Sequence, residues 1–276
     1  MELPLAIERA VRHLRMKANR NPTPRQQPAE LRAIPVHGIP DVKAGDSLAE
    51  IVLAAITGTS MQLSAGDILV LKHKIVAKAE GRTVRLDSVK PSRQALATAR
   101  RNNTDGRAVE LALREAKRVL RDKHVLITET QHGFVCANSG VDVSNVDGGE
   151  SAVLLPVDPD ASAAKIHRKL KKLTGLYIPV IISDSFGRAW RQGLCDVAMG
   201  VAGMKAMHDY RGRRDDYGYT LRATEQAVAD ELAAMAGLVS GKVARVPACI
   251  IRGYAYARGA GSARHLVRPA DKDLFR

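Results

Sequence analysis

The residues best suited to chemistry follow an apolar, β-branched run at residues 178–182, which is typical of a buried strand. Asp184 and Ser185 come directly after it, with Arg188 and Arg191 a few positions further on. A carboxylate and a hydroxyl at the end of a rigid strand can share one hard cation, and the arginines could neutralise an anionic oxygen. The alternative is a strand that runs into a polar turn capped by Asp184, and these residues alone leave both interpretations open.

Together with Asp184 and Ser185, a second group of residues supplies the types of side chain that phosphoryl transfer requires. Its members are a further carboxylate with hydroxyl and amide neighbours, and three lysines from another segment: Asp142, Ser144, Asn145, Lys72, Lys74 and Lys78. Carboxylates hold Mg²⁺ or Mn²⁺, and lysines screen the charge that moves with a phosphoryl group. Each residue taken singly could equally be a turn residue or half of a surface ion pair. Together they favour a site for a metal ion and a phosphate.

Composition limits the classes of partner. The chain has 276 residues, a net charge of +14 and a pI near 10, so its partner is expected to be anionic. Nucleotides, polycarboxylates and nucleic acid all satisfy that condition. A basic nucleic-acid-binding protein is therefore one hypothesis, but aromatic residues make up only 4% of the chain, too few for base-stacking platforms. Nucleic acid is the less favoured partner.

The cysteines and the apolar runs indicate the compartment. Cys136, Cys195 and Cys249 are isolated from one another, which argues against a disulfide framework or structural zinc and suits the reducing cytoplasm. The longest apolar runs are far too short to span a membrane. Cytoplasmic localisation without a membrane partner is the resulting prediction.

The elements that must position these residues follow from periodicity and turn signals. Residues 1–33 are predicted to be a basic N-terminal extension with a proline-rich linker and a helix at 5–17, and residues 34–276 the main domain. Strands are predicted at residues 31–36, 68–71, 125–128, 133–137, 153–156, 178–182, 197–203 and 248–251, with a further extended segment at 72–82. Helices are predicted at 47–57, in two pieces across 92–122, from the Asp158-Pro159 cap onward, and after Thr224 as N-cap. Strands and helices do not alternate strictly, which indicates an α+β, mixed-sheet fold rather than a doubly wound sheet.

Several ordered motifs, taken together, resemble one family. They are Gly66-Asp67-Ile68-Leu69-Val70, Lys78-Ala79-Glu80-Gly81-Arg82, Cys136-Ala137-Asn138-Ser139-Gly140-Val141-Asp142-Val143-Ser144-Asn145-Val146, Leu155-Pro156-Val157-Asp158-Pro159-Asp160, Ser183-Asp184-Ser185-Phe186-Gly187-Arg188 and Ala229-Asp230-Glu231-Leu232. Over roughly residues 34–276 the chain closely resembles the coenzyme F420:L-glutamate ligase family, also called F420-0:γ-glutamyl ligase.

The resemblance implies a GTP-dependent ligase that joins L-glutamate, or several γ-linked glutamates, to the carboxylate of coenzyme F420-0 through an acyl phosphate. It implies Mg²⁺ or Mn²⁺ at two divalent sites, with K⁺ as a further cation. It also implies a two-lobed fold that forms an intertwined, butterfly-like homodimer. A related amide ligase that acts on another carboxylated small molecule is the alternative within this fold.

Site roles follow by position from the resemblance. Asp142 and Asp184 match ligands of one divalent metal and Ser185 a ligand of a second, while Lys78 and Asp184 match the catalytic positions. Nucleotide contacts match Asn145, the loop Ile39-Pro40-Asp41-Val42, the residues His73, Lys74 and Lys78, and the segment from Lys242 to Ala248. The chain departs from the family in two places. His73 replaces a small polar residue, and Lys242-Val243-Ala244-Arg245 replaces a loop that is glycine-rich and acidic in archaeal members.

Overall fold

The computed structural model describes residues 30–144 and 146–273. Most of the predicted N-terminal extension, including its helix, lies outside these residues. The six α-helices described are α1 (Leu48–Thr57), α2 (His73–Ala79), α3 (Arg93–Asn102), α4 (Gly106–Glu115), α5 (Pro159–Thr174) and α6 (Val228–Ser240). The strands are β1 (Arg32–Pro35), β2 (Ile68–Lys72), β3 (Thr83–Arg85), β4 (Ala116–Arg121), β5 (Ile127–Thr130), β6 (Val135–Ala137), β7 (Ser151–Val153), β8 (Val180–Arg188), β9 (Arg191–Ala202), β10 (His208–Asp209), β11 (Glu225–Gln226) and β12 (Ala248–Arg252).

A five-stranded mixed sheet in the order β1-β12-β2-β8-β9 forms the centre of the fold. Its neighbouring strands are antiparallel except β2 and β8, which run parallel with Leu69 opposite Val180 and Lys72 opposite Ser183. The smaller sheets pair β3 with β7, β10 with β11, and β4 with β5 and β6. The predicted α+β, mixed-sheet fold is thereby confirmed.

Both faces of this sheet are covered, because apolar side chains on its strands point alternately to opposite sides. Leu69 and Leu71 pack with α1 and α5 on one face. Ile68 and Val70 pack with α6 on the other. At the start of β2, the fully buried Asp67 carboxylate accepts hydrogen bonds from Arg252 Nε and Nη2 at 2.7 and 2.8 Å. The strands that lead to the predicted site are therefore held rigidly.

Strands β8 and β9 form a long ribbon that extends beyond the rest of the sheet. A bulge interrupts their pairing where Ile182 faces Gly200 but Ser183 faces Ala198. Bulges bend a strand and re-aim its side chains. This bulge lies immediately before Asp184 and Ser185. The predicted strand at 178–182 was too short, since β8 continues through these polar residues to Arg188.

The prediction of an extended segment at residues 72–82 is wrong after residue 72. Residues 73–79 form α2, which begins directly after β2 and is followed by Gly81 with a φ of +71°. Its buried residues include Ile75, Val76 and Ala77, so the β-branched pair that suggested a strand instead packs the inner side of a short helix. The lysines keep a common face nevertheless, because Lys74 and Lys78 are four residues apart.

Two other helix predictions need correction. The second helix in 92–122 ends at Glu115, and residues 116–121 form β4, whose Lys117 and Arg118 pair with Glu129 on β5. The last helix starts at Val228 instead of after Thr224, because Glu225 and Gln226 pair with β10. The other helix starts agree with prediction.

In α5 the predicted cap is present. Asp158 accepts a hydrogen bond from Ala161 N at 2.9 Å, and Pro159 occupies the first turn. In α1, Ser47 takes the N-cap position without a side-chain hydrogen bond. All three cysteines are free, as predicted. Within residues 30–144 and 146–273, no helix is both long and apolar enough to cross a membrane.

Candidate active site

A cavity of about 760 Å³ opens beyond the adjacent ends of β2 and the apolar half of β8. Charged and predicted residues on its walls are Ile39, Pro40, Asp41, Val42, Lys72, His73, Lys74, Lys78, Asp142, Ser144, Asp184, Ser185, Lys242 and Arg245. His73 apart, five of these carry positive charge and three carry negative charge. The cavity therefore suits an anionic ligand while keeping carboxylates for a cation.

The β2–α2 junction supplies the lysines of one wall. Lys72 is the last residue of β2, and Lys74 and Lys78 lie one turn apart on α2. Lys78 Nζ donates to Asp41 Oδ1 at 2.8 Å, which links α2 to the loop at residues 39–42. The hydrogen bond from Lys78 lowers the pKa of Asp41 below its usual value. Asp41 is well exposed, so this link can open when a ligand competes for the Lys78 ammonium.

Asp142 reaches the cavity from a turn of unusual backbone conformation. Asn138, Ser139 and Gly140 all have positive φ, at 51°, 53° and 71°. The buried Ser139 hydroxyl donates to Ala112 O at 2.6 Å, which anchors the turn. A Cβ on Gly140 would lie 2.6 Å from Leu155, so only glycine fits there. Strained, anchored turns of this kind are common where side chains must be aimed accurately.

The Asp142 carboxylate is held by one ammonium group and one backbone amide. Its Oδ2 accepts from Lys74 Nζ at 2.9 Å and its Oδ1 accepts from Ser144 N at 2.7 Å. Burial raises the pKa of Asp142, but the hydrogen bonds from Lys74 and Ser144 lower it by a larger amount, so the pKa lies below its ordinary value. Asp142 is therefore ionised at neutral pH.

Asp184 stands close enough to Asp142 for the two charges to interact. Burial and the Asp142 carboxylate both raise the pKa of Asp184, while His73 and Ser185 N lower it, and the net shift is downward. Asp184 Oδ1 accepts from Ser185 N at 2.7 Å and lies 3.2 Å from His73 Nδ1. The buried His73 Nε2 has no hydrogen-bond partner among the described residues. Two ionised carboxylates and an unpartnered ring nitrogen thus meet at one wall.

Four side chains form what we call the Ser185 cluster: Ser185, Asp196, Lys72 and Lys242. The Ser185 hydroxyl donates to Asp196 Oδ1 at 2.5 Å and accepts from Lys242 Nζ, while Lys72 Nζ pairs with Asp196 Oδ2. Burial lowers the pKa of Lys72, and the neighbouring Lys242 ammonium lowers it further, to about 8, against the attraction of Asp184. Lys72 is still mostly protonated at pH 7.

The side chains on the cavity wall meet part of what a divalent ion requires. In the described part of the chain, no three His, Cys, Asp or Glu side chains converge into a complete metal cage. Asp142 and Asp184 do supply two interacting carboxylates, and Mg²⁺ typically takes one or two carboxylates and completes its shell with water and phosphate. These two residues fit such an ion. Ser185 does not offer the same opportunity, because its hydroxyl donates to Asp196 and accepts from the Lys242 ammonium, which a metal ion would have to approach closely.

The structure brings together most of the predicted site residues. The exceptions are Ala248, which is buried in β12 opposite Leu71, and Asn145, which lies outside the described residues. Arg188 and Arg191 pair at the exposed end of the ribbon and do not line the cavity, so the initial interpretation of them as an anion screen is not supported.

Asp196 was missed by the sequence reasoning. Its predicted strand began at Val197, so a carboxylate one position earlier passed as part of a loop, whereas β9 begins at Arg191 and Asp196 is only 7% exposed. The sequence did contain a signal for its burial, namely a single acidic residue immediately before an apolar run interrupted by glycines.

Other motif residues turn out to hold the scaffold together. Asp160 accepts from Val201 N, Ala263 N and Ser262 Oγ at 2.6 to 2.9 Å. Asp230 accepts from Ala198 N at 2.8 Å, which fastens α6 to β9. These carboxylates have structural contacts and lie outside the cavity wall.

Comparison with known proteins identifies similar sequences. The family model described as F420-0:Gamma-glutamyl ligase matches residues 38–253. The coenzyme F420:L-glutamate ligase of Methanothermobacter thermautotrophicus is 47% identical over 247 residues, covering 88% of this chain and 98% of that protein. Proteins of the same name from Methanocaldococcus jannaschii and Archaeoglobus fulgidus are 41% and 40% identical, covering 90% and 89% of this chain and 98% and 96% of theirs.

Proposed function

The chain belongs to the F420-0:Gamma-glutamyl ligase family, and from that premise we propose that it joins L-glutamate to the carboxylate of coenzyme F420-0 with GTP as the energy source. The observation that carries the proposal is the cavity in which lysines face two interacting carboxylates. A ligase that activates a carboxylate needs both, because it must bind phosphates and stabilise the charge on them during transfer.

In the proposed first step, an oxygen of the acceptor carboxylate attacks the γ-phosphorus of GTP. The bond from that phosphorus to the β–γ bridging oxygen breaks, which releases GDP and forms an acyl phosphate. Lys74 and Lys78 would exchange their present partners, Asp142 and Asp41, for phosphate oxygens. His73 Nε2, which has no hydrogen-bond partner among the described residues, supplies a further donor or acceptor on the same wall.

In the proposed second step, the neutral amine of L-glutamate attacks the acyl carbon and phosphate leaves. The ammonium form must first lose a proton to solvent, and the nitrogen loses a second proton, to solvent or the departing phosphate, as the amide forms. Activation has to precede this step, because a free carboxylate does not react with an amine. Repetition on the newly added glutamate would give γ-linked products.

We propose that Asp142 and Asp184 hold one Mg²⁺ or Mn²⁺ ion when nucleotide binds. A divalent ion there would neutralise phosphate oxygens during transfer. Lys74 Nζ has a second acceptor within reach, Ser144 O at 2.7 Å, so it can release Asp142 without losing all its hydrogen bonds. The carboxylates can therefore become available to the ion.

The decisive experiment incubates the protein with F420-0, L-glutamate, GTP and MgCl₂ and follows product mass and nucleotide. The expected result is a gain of one or more glutamyl units, with one GDP and one phosphate formed per unit. Asp184→Asn serves as the inactive control. Equal turnover with ATP would refute the GTP proposal, and glutamyl transfer to a different carboxylic acid but not to F420-0 would refute the acceptor.

We also propose that two copies pair. Within the described residues β4 pairs on one side only, with β5, and its Val119 and Leu120 are each 37% exposed. An open edge strand with exposed apolar residues is a surface on which another strand can add. Light scattering should give about twice the chain mass of 29.8 kDa. A monomer at micromolar concentration would contradict the pairing.

A further inference from the structure

The Ser185 cluster places two ammonium groups beside one hydroxyl and the carboxylate bonded to it. Lys72, at the end of β2, pairs with Asp196 on β9, and Lys242, in the segment after α6, donates to the Ser185 hydroxyl. The Asp196 carboxylate is buried, with both of its oxygens occupied. The cluster is a closed set of complementary groups, and its net charge is positive.

The carboxylate pair formed by Asp142 and Asp184 has the opposite balance of charge. Asp142 and Asp184 place two negative charges together, with Lys74 bonded to Asp142 and His73 Nδ1 3.2 Å from Asp184. A divalent ion is attracted to that pair. At Ser185 the same ion would meet the ammonium groups of Lys72 and Lys242, and like charges at short distance repel strongly where water is scarce. The hydroxyl oxygen already accepts from Lys242, so a metal ion that used its remaining lone pair would have to sit beside that ammonium group.

We propose that the ammonium groups of Lys242 and Lys72 take the place of a second divalent ion at Ser185, so that this chain uses one divalent ion. The inference rests on the proposed function, in which phosphate oxygens enter the cavity beside Ser185. Lysine can substitute for a metal there because both present positive charge to phosphate. Asp196 is the positioning residue, since it holds Lys72 and Ser185 at once. The segment at residues 242–245, which departs from the family pattern, supplies one of the two cations.

Counting bound Mn²⁺ tests the proposal without relying on turnover. The free ion is measured by electron paramagnetic resonance while the full chain is titrated with MnCl₂, alone and with a non-hydrolysable GTP analogue. The expected stoichiometry is one ion per chain, lost in Asp184→Asn and retained in Ser185→Ala. Two ions in the wild type, with the second lost in Ser185→Ala, would overturn the proposal.

A gain-of-site variant keeps the outcome independent of the proposed reaction. Lys242→Asp replaces an ammonium by a carboxylate beside Ser185 and Asp196, and should bind one Mn²⁺ more than the wild type. Lys165→Asp, on the exposed face of α5, makes the same charge change away from the cavity and should add none. Equal stoichiometry in Lys242→Asp and wild type would count against the proposal. A wild type that binds no ion would instead refute the metal site at Asp142 and Asp184.

Discussion

Gly237 on α6 packs directly against the Asp196 carboxylate. Its replacement by alanine is expected to lower activity while leaving the free energy of unfolding nearly unchanged. A Cβ at position 237 would lie 2.9 Å from Asp196 Cγ and Oδ2. Ordinary contact begins at 3.4 Å, so the carboxylate has to move by the difference, about 0.5 Å. The movement would carry Lys72 and Ser185 with it, because Asp196 is hydrogen-bonded to both.

The expected loss follows from that displacement. A misplacement of about 1 Å can cost on the order of a hundredfold in rate, so about 0.5 Å corresponds to roughly tenfold in kcat, or about 1.4 kcal/mol of transition-state stabilisation. Stability should change little, because alanine in a helix is favoured over glycine by about 1 kcal/mol, which offsets the local crowding. Gly237→Ala is therefore predicted to be a folded, slow enzyme.

Initial rates of glutamyl addition and urea unfolding followed by circular dichroism test this prediction. Gly58→Ala is the matched control, since its Cβ would lie 3.5 Å from Ala54 O, in ordinary contact, and position 58 follows α1 away from the cavity. Its rate should equal that of the wild type. Wild-type kcat in Gly237→Ala would show that the position of Asp196 does not matter. A free energy of unfolding reduced by several kcal/mol would refute the stability argument.

Three further substitutions test separate parts of the structure. Asp184→Asn should reduce ligation to background and weaken Mn²⁺ binding while circular dichroism stays unchanged; activity retained at ordinary Mg²⁺ concentrations would remove Asp184 from the site. Lys78→Ala should raise the KM for GTP about tenfold or more with a smaller effect on kcat, as expected for a lost charge-assisted bond of about 1.5–3 kcal/mol, and unchanged GTP kinetics would exclude a phosphate contact. Arg252→Ala should lower the free energy of unfolding by about 3 kcal/mol, the low end of the range for breaking a buried pair, because Asp67 is fully buried while Arg252 is 35% exposed. Arg32→Ala, beside it on β1 in an exposed ion pair, is the control and should have no measurable effect, and equal losses in both variants would contradict the burial argument.

Much of the scaffold was predictable because its signals are local. The Asp158-Pro159 cap and the stripe of apolar residues predict α5, and the short β-branched runs predict β2 and β12. Asp184 could be predicted from the apolar run that precedes it, whereas its pairing with Asp142 on one metal was implied by the family resemblance. Their shared wall depends on the parallel pairing of β2 with β8 and on the turn at residues 138–140, neither of which has a local signature.

The failures occurred where tertiary contacts decide the conformation. Residues 73–79 carry apolar and charged side chains in an order compatible with either a strand or a helix, and packing of Ile75 and Val76 under the cavity selects the helix. Residues 116–121 have helical composition but form β4, because Lys117 and Arg118 reach Glu129 on β5. The position of Asp196 in the site depends on the length of β9, since only the full extent of that strand places Asp196 opposite Ser185.

The end of the β8–β9 ribbon also determines what a spectroscopist will see. Trp190, the only tryptophan in the chain, lies there and is 86% exposed. Its emission is therefore expected to be red-shifted already in the native protein, so denaturant titrations followed by tryptophan fluorescence will have little contrast. The same property makes it a local reporter, because a blue shift would indicate that a partner or substrate covers the ribbon, without any added label. Leu194 of that ribbon lines the cavity, so such a signal could be read during nucleotide or F420-0 titrations.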